Sequence, residues 1–436
     1  MTLVPRTSGP VIAVVGAGFG GLSFCRMYRG PGLVVLFDRQ NHHLFQPLLY
    51  QVAMAGLSGP HIATPIRSIL SGYRNVQTHL AEVESIDLAN RRLTASGKVV
   101  EWDYLVLAPG GVTSYFGHDE WAQHAPGLKT LADAVSMRRR ILTSFELAEN
   151  ESDPDEIRRL MTIIVVGGGP TGVELAGAMA ELAHRVFRRD FRRIDPTQAR
   201  VILVEAADRI LPAFPPDLSV KARKQLEDLG VQVMTNSYVT QVEVGRVKLS
   251  SGGQEVTLEA ANCLWGAGVA PSPLLSTLEG VQRDPKGRVV VLPDLSIPGH
   301  QNAFVIGDSA AVMGQDIPAL APAAMQMGAH VARLIRDEGK RGPLPPQERE
   351  PFSYWDRGMM ATIGRRRAVA ISGPLRLSGF IAWVMWLVVH LIFLINFRNR
   401  IVVLLEWTWQ YLTYSRGARI IPQVRWERRK TSDSQA

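Results

Sequence analysis

The sequence is short of cysteine, short of acid, and without an apolar leader, and each shortage narrows what it can be. Only Cys25 and Cys263 occur in 436 residues. They stand far apart, in no C-x-x-C or C-x4-C spacing, which excludes a disulfide framework and a cysteine-built metal site, and no metal is expected. Both read as small apolar residues of helix or strand. The N-terminal stretch MTLVPRTSGP has no apolar core of the kind a secretory signal needs, so a cytoplasmic catalytic body is expected. Acid falls behind base, 40 Asp and Glu against 48 Lys and Arg, for a formal charge of +8. Between Arg398 and Lys430 eight basic residues face only Glu406 and Glu427, so most of the excess sits in the tail. That placement speaks for a membrane surface and not for nucleic acid. A second basic run, residues 185–193, is broken by apolar residues and Asp190 and reads as a solvated helix face.

What is present is glycine in a particular spacing. Residues 11–15, VIAVV, read as a buried strand, and Gly16, Gly18 and Gly21 follow in the G-x-G-x-x-G pattern, with Gly20 between them. Such a loop turns tightly, lets backbone approach a pyrophosphate and presents helix N–H groups to it. A second apolar strand, 33–37, ends in Asp38, placed to accept a hydrogen bond from an adenosine ribose. The pattern recurs: strand 161–166, then Gly167, Gly169 and Gly172, then strand 201–204 ending in Glu205. Two such sites hold two dinucleotides, one a fixed flavin and the other a visiting nicotinamide. Flavoproteins of this kind that reduce disulfides or oxidise sulfide need a cysteine pair, and that branch is closed.

The chain is long enough for two or three domains. Residues 41–67 are Gly- and Pro-punctuated and too apolar for a free loop, so they should fold back over the cofactor. Residues 82–87, 92–95 and 99–102 alternate as antiparallel strands, and Tyr104–Gly111 reads as a strand running into Gly110-Gly111. Helices are expected over 131–149 and over 218–229, strands over 241–250 and 303–306, and a helix carrying PALAPAAMQMGAHVARLI. A Pro-rich boundary spans 342–351. Residues 380–397 contain only His390 and Asn396 as polar residues; as one helix they would run about 27 Å, the lower limit for a bilayer span. A second apolar and aromatic stretch covers 401–414, and five of the nine tryptophans (Trp383, Trp386, Trp407, Trp409, Trp426) lie in this tail, as an interfacial belt requires. A helix pair lying in the membrane surface explains aromatics and charge together, while a buried core helix or a dimer seam is the competing reading.

RQNHHLFQPLLYQVA, APGLKTLADA, GGGPTGVELAGA, VILVEAADRILPAFP, FVIGDSA, DRGMMATIGRRRAVA and HLIFLINFRNR with SRGARII resemble the type II NADH:quinone oxidoreductases, almost end to end. The resemblance implies an α/β fold of two Rossmann-like dinucleotide-binding domains plus a C-terminal membrane-anchoring helical segment. The FAD-binding domain would be discontinuous, residues 9–116 and 265–342, with an NADH-binding domain at 117–264 and a membrane-associating domain at 343–436. Gly16, Gly18, Gly20 and Gly21 would hold the FAD pyrophosphate, Asp38 and Arg39 the adenosine end, and Gln46, Pro47 and Leu48 the isoalloxazine. Ala108, Gly110, Gly268, Gly307 and Asp308 would complete that site. Gly167, Gly169 and Gly172 would hold the NADH pyrophosphate and Glu205 its ribose, a carboxylate that argues against NADPH; the nearby Arg209 would soften that preference. Glu174 matches the family's acid between nicotinamide and flavin, although from the residues alone it is equally a first-turn glutamate favoured by the helix dipole. The quinone site would comprise Pro322, Gln326 and Arg357. Here the sequence departs: Pro322 stands for the first of two glutamines and Arg357 for a lysine, with Pro109 and His61 further departures.

Two half-reactions are therefore expected, NADH to FAD and reduced FAD to a membrane quinone, with Glu174 and Gln326 steering protons. Expected partners are NADH, a membrane quinone and the lipid bilayer surface through residues 380–421, and a homodimer is compatible with these. The expected place is the cytoplasmic face of the inner (plasma) membrane, peripheral or monotopic. Competing readings are a soluble flavoprotein reductase of a ferredoxin or other protein acceptor, which would lack the apolar tail; a sulfide:quinone oxidoreductase, which needs the missing cysteines; and a slow nucleotide sensor.

Overall fold

The computed structural model describes residues 9–413 and 416–421. Val11–Val15 forms β1 and leads through the first glycine loop into α1, Phe19–Met27. Then come β2 (Leu33–Asp38), a short α2 (Leu49–Ala53), β3 (Val76–Leu80) and β4 (Tyr104–Leu107). β1, β2 and β4 are runs of apolar residues because both faces of a parallel sheet are covered there; Ile12, Val34, Val35 and Val106 are all fully buried, whereas the edge strand β3 is more polar. Between β3 and β4 the three expected antiparallel strands form as Val83–Asp87, Arg92–Ala95 and Lys98–Glu101.

The long helix α3, Leu131–Asn150, is started by a capping box between Thr130 and Asp133. It precedes the second nucleotide motif, β5 (Thr162–Val166), α4 (Pro170–Glu181), β6 (Arg200–Val204), β7 (Val231–Met234) and β8 (Asn262–Trp265). These four strands pair in the order β7-β6-β5-β8, all parallel. The strand expected over 241–250 is instead a hairpin, Ser237–Glu243 and Arg246–Ser251, because Gly245 at φ +76° makes a turn. The chain then returns to the first sheet with β9 (Ser296–Ile297) and β10 (His300–Val305), giving the order β9-β10-β4-β1-β2-β3. Helix α5, Ala321–Arg341, packs on α1 so closely that a Cβ at Gly328 would stand 2.2 Å from the Gly20 carbonyl oxygen.

The last quarter departs from expectation. Before any apolar helix come three antiparallel strands, β11 (Met359–Gly364), β12 (Arg367–Ser372) and β13 (Leu375–Ser378). Their alternation is hidden in the sequence because Ala361, Ile363, Ala368, Val369 and Ala370 are all buried, on both faces. The residues expected as one 18-residue helix form α6, Phe380–Phe393, which is about 21 Å long. It stops where Leu394 turns extended (φ −64°, ψ 127°), and Asn396 at φ +79° then accepts the Arg398 N–H at the start of α7, Phe397–Thr413. Among the described residues no helix is long and apolar enough to cross a membrane. The aromatic belt is also partly corrected: Trp386 is core, 1% exposed and stacked on His390 at 4.1 Å, while Trp409 is exposed. Trp426, Tyr414 and the basic cluster from Arg425 lie outside the described residues.

Candidate functional site

Both glycine loops sit at the carboxyl ends of parallel strands, facing a helix N-terminus. A Cβ at Gly21 would stand 1.9 Å from the Gly16 carbonyl oxygen, and one at Gly172 only 1.7 Å from that of Gly167, so each helix packs directly on its own loop. In contrast, Gly18 and Gly169 face open space, with no heavy atom within 4 Å of such a Cβ. Tight behind and open in front is the cradle a pyrophosphate needs. Beside the first cradle, Asp38 accepts N–H bonds from Ala17 (2.6 Å) and Gln40 (2.7 Å), and burial still pushes its carboxyl up. Arg39 is exposed next to it. Beside the second, Glu205 accepts from the Gly168 and Ala207 N–H groups. Arg209 turns away to the Pro212 carbonyl. The residues present fit two dinucleotides.

The first crevice continues toward the second. Gln46–Leu48 forms a 3-10 turn with Leu48 buried, and the Gln46 amide donates to the Lys129 carbonyl at 3.4 Å. Ala108 is buried at the end of β4, and the Gly110 carbonyl accepts from Ser309. The Gly307 N–H points to Met327 Sδ. Asp308 faces Lys129: burial raises the carboxyl and lowers the ammonium, and each charge offsets the other's shift. Lys129 is a site residue that sequence reasoning did not single out, although its motif was noticed. Gly268 carries φ +69° and its carbonyl accepts from Ser114, next to the two-stranded link Gly111–Thr113 and Val269–Pro271.

A third feature, a cavity of about 560 Å³, lies where α2 and α4 meet β11, α6 and α7. Its wall is largely aromatic and aliphatic, with Tyr50, Trp383, Trp386, Leu387 and Trp407. Glu174 lies on it, one residue past the first turn of α4, so the helix-dipole reading is not what places it. Burial pushes its carboxyl up to about 8, against a smaller lowering by a main-chain hydrogen bond from Thr362 of β11. The contact of α4 with β11 is permitted by Gly177, where a Cβ would come within 1.7 Å of the Ile363 carbonyl oxygen. Glu181, two turns further along α4, also lines the cavity, but it pairs with Arg416 at 3.3 Å and accepts the Arg365 N–H at 2.5 Å. Arg416 also donates to the Met54 carbonyl, tying the residues after α7 back onto the body.

The three expected quinone residues gather elsewhere. Pro322 occupies the first turn of α5, where its missing N–H costs nothing. Gln326 is bonded at both ends of its amide to the Trp355 main chain, 3.0 Å each. Arg357 stacks on Trp355 at 4.7 Å and on Phe393 of α6 at 6.0 Å. Gln326 and Arg357 are thus brought together through Trp355, and neither lines the cavity with Glu174. Both cysteines are buried, with thiols pushed up to about 12, so neither is a reactive thiolate.

Residues 10–328 match the family model described as pyridine nucleotide-disulphide oxidoreductase, and residues 356–416 match the NDH2 C-terminal domain. The chain is 45% identical over 415 residues to the type II NADH:quinone oxidoreductase Ndh of Mycobacterium tuberculosis, covering 93% of this chain and 89% of that one. It is 30% identical over 372 residues to the type II NADH:quinone oxidoreductase of Staphylococcus haemolyticus, covering 83% and 89%. In fold it matches NDH2 from Plasmodium falciparum in complex with NADH, with TM-score 0.85 at 19% identity over 94% of this chain and 99% of that one. The chain belongs to the type II NADH:quinone oxidoreductases.

Proposed function

We propose that the cavity beneath α6 and α7 admits the quinone and that Glu174 holds the proton that accompanies its reduction. The enzyme is an NADH:quinone oxidoreductase that works through FAD without pumping protons. When bound, FAD takes hydride from NADH and supplies two electrons to the quinone. We assign the FAD cradle to Gly16, Gly18, Gly20, Gly21, Asp38 and Asp308, on a discontinuous domain of residues 9–116 and 265–342. The NADH cradle goes to Gly167, Gly169, Gly172 and Glu205, whose carboxylate repels a 2′-phosphate.

The observation that carries this reading is the Glu174 carboxyl on an apolar cavity, pushed up to about 8. A group so poised holds its proton at neutral pH and can release it to a developing quinol oxygen. At about 560 Å³ the cavity falls in the usual range of small-molecule sites. Outside it, Ile381 and Ile392 of α6 and Leu405 and Leu412 of α7 are exposed, an apolar patch suited to the lipid surface. Burial lowers His390 to about 4, so this titratable group of α6 is neutral there. Gln326, Trp355 and Arg357 fix the segment before β11 beside the end of α6, a supporting role. The seat is the cytoplasmic face of the membrane, held peripherally, and one copy of the chain supplies both cradles and the cavity.

Anaerobic flavin spectra test this. NADH bleaches the flavin absorbance of wild type and of Leu387→Trp at similar rates, whereas recovery on adding a short-chain quinone slows about tenfold or more in the variant, whose indole fills the cavity. Equal recovery rates would move the quinone away from this cavity, toward Gln326 and Arg357.

A further inference from the structure

Three successive arginines, Arg365 and Arg366 in the turn after β11 and Arg367 at the start of β12, stand together, with Arg366 at φ +63°. Arg185 comes to the same place from the helical segment that follows α4. Together with Glu181 and Leu229 they line a second cavity of about 330 Å³. Glu181, the single carboxylate there among the described residues, is already engaged by Arg416 and the Arg365 N–H. Four guanidinium groups around one committed carboxylate leave an excess of positive charge that favours an anion.

Two of these side chains are held in place. Arg365 lies over the Tyr411 ring at 3.9 Å, and Arg366 donates to the Tyr411 hydroxyl, 2.7 Å from Nε. Arg366 also approaches the Phe380 ring at 5.9 Å. Phe380 begins α6 and Tyr411 lies near the end of α7, so the basic cavity adjoins the margin of the exposed apolar patch, where Phe380 and Leu412 are 54% and 71% exposed. A fork of guanidinium groups beside an apolar surface matches an ester phosphate attached to acyl chains.

We propose that this cavity binds a phosphate-type anion, the headgroup phosphate of an anionic phospholipid, and so fixes how the helix pair seats on the membrane. Glu181 lines both this cavity and the one with Glu174, so the lipid contact adjoins the wall of the substrate cavity. The inference rests on the reading of α6 and α7 as lipid-facing, and the vesicle arms separate the two.

The test is co-sedimentation of the full-length holoenzyme with phosphatidylcholine vesicles, alone and with phosphatidylglycerol added. Wild type should bind both and prefer the second. Each arginine removed should cost about fivefold in affinity for the anionic vesicles. Arg185→Gln with Arg367→Gln should therefore lose roughly 30-fold there and nothing on phosphatidylcholine. Lysine at both positions should keep most of the preference, and flavin content with thermal melting shows that the variants fold. An equal loss from Arg74→Gln with Arg91→Gln, neither of which lines either cavity, would show that only overall charge matters and would overturn the site. Absence of any preference for phosphatidylglycerol in wild type would overturn it too, as would displacement from these vesicles by millimolar inorganic phosphate at constant ionic strength, which would make a soluble phosphate the occupant. Binding of wild type to neither vesicle would overturn the lipid-facing reading itself and the headgroup assignment with it.

Discussion

Two carboxylates on one helix, Glu174 and Glu181, line the same cavity seven residues apart and are treated in opposite ways. Glu181 is given a cation and a backbone N–H, from Arg416 and Arg365. Glu174 receives a hydrogen bond from the Thr362 main chain, and among the described residues it makes no ion pair. An unpaired carboxyl against an apolar wall resists ionisation, whereas the paired one ties chain segments together through Arg416 and Arg365. The difference teaches that one end of the cavity keeps an unpaired carboxyl, the one we propose for proton chemistry, while the other end holds the C-terminal segment.

The largest effect should come from removing the proton at the unpaired end. Glu174→Gln preserves size and hydrogen bonding, and should slow flavin recovery by quinone about 100-fold while NADH bleaching changes little; stopped-flow absorbance follows both. The paired end should respond in stability instead. Glu181→Gln leaves Arg416 without its counter-charge, and because both side chains keep some exposure, 12% and 19%, the loss should be about 2 kcal/mol and not the full value of a buried pair. A lower melting temperature with a near-normal bleaching rate would support this; the reverse pattern would dissolve the contrast.

A smaller effect links stability to pH. The folded Glu174 carboxyl titrates near 8, against about 4.3 for an unperturbed one. Its contribution to stability is fully present below the unfolded value and is lost as pH rises through the folded value. Glu174→Gln should therefore melt like wild type at pH 4 and higher than wild type at pH 9, by about 1 kcal/mol or more.

Much of the nucleotide-binding body was legible in the sequence, because the signals there are local. Strand, glycine loop, helix, strand and acid follow one another in sequence, from Val11 to Asp38 and again from Thr162 to Glu205, and the structure places β1, α1, β2 and Asp38, then β5, α4, β6 and Glu205, where the pattern put them. The C-terminal quarter was not. Its strands β11 and β12 lack alternation because both faces are covered, and the break between α6 and α7 depends on Leu394 and Asn396 leaving helical geometry within an apolar run. The cavity was out of reach for another reason. Tyr50, Glu174, Thr362 and Arg416 come from four separated stretches, and only packing through Gly177 and Ile363 brings the middle two together. Gln326 was noticed in the sequence, but its amide is spent on the Trp355 main chain, a partner no spacing rule announces.

The most direct test of the central claim is the pH dependence of the quinone half-reaction, measured as flavin recovery in wild type and Glu174→Gln from pH 6 to 10. Wild type should hold its rate at neutral pH and fall as pH rises past about 8, while the variant should be slow and flat across that limb. An alkaline fall of the same midpoint in both would mean that another group carries the proton, and the division between the two ends of the cavity would not stand.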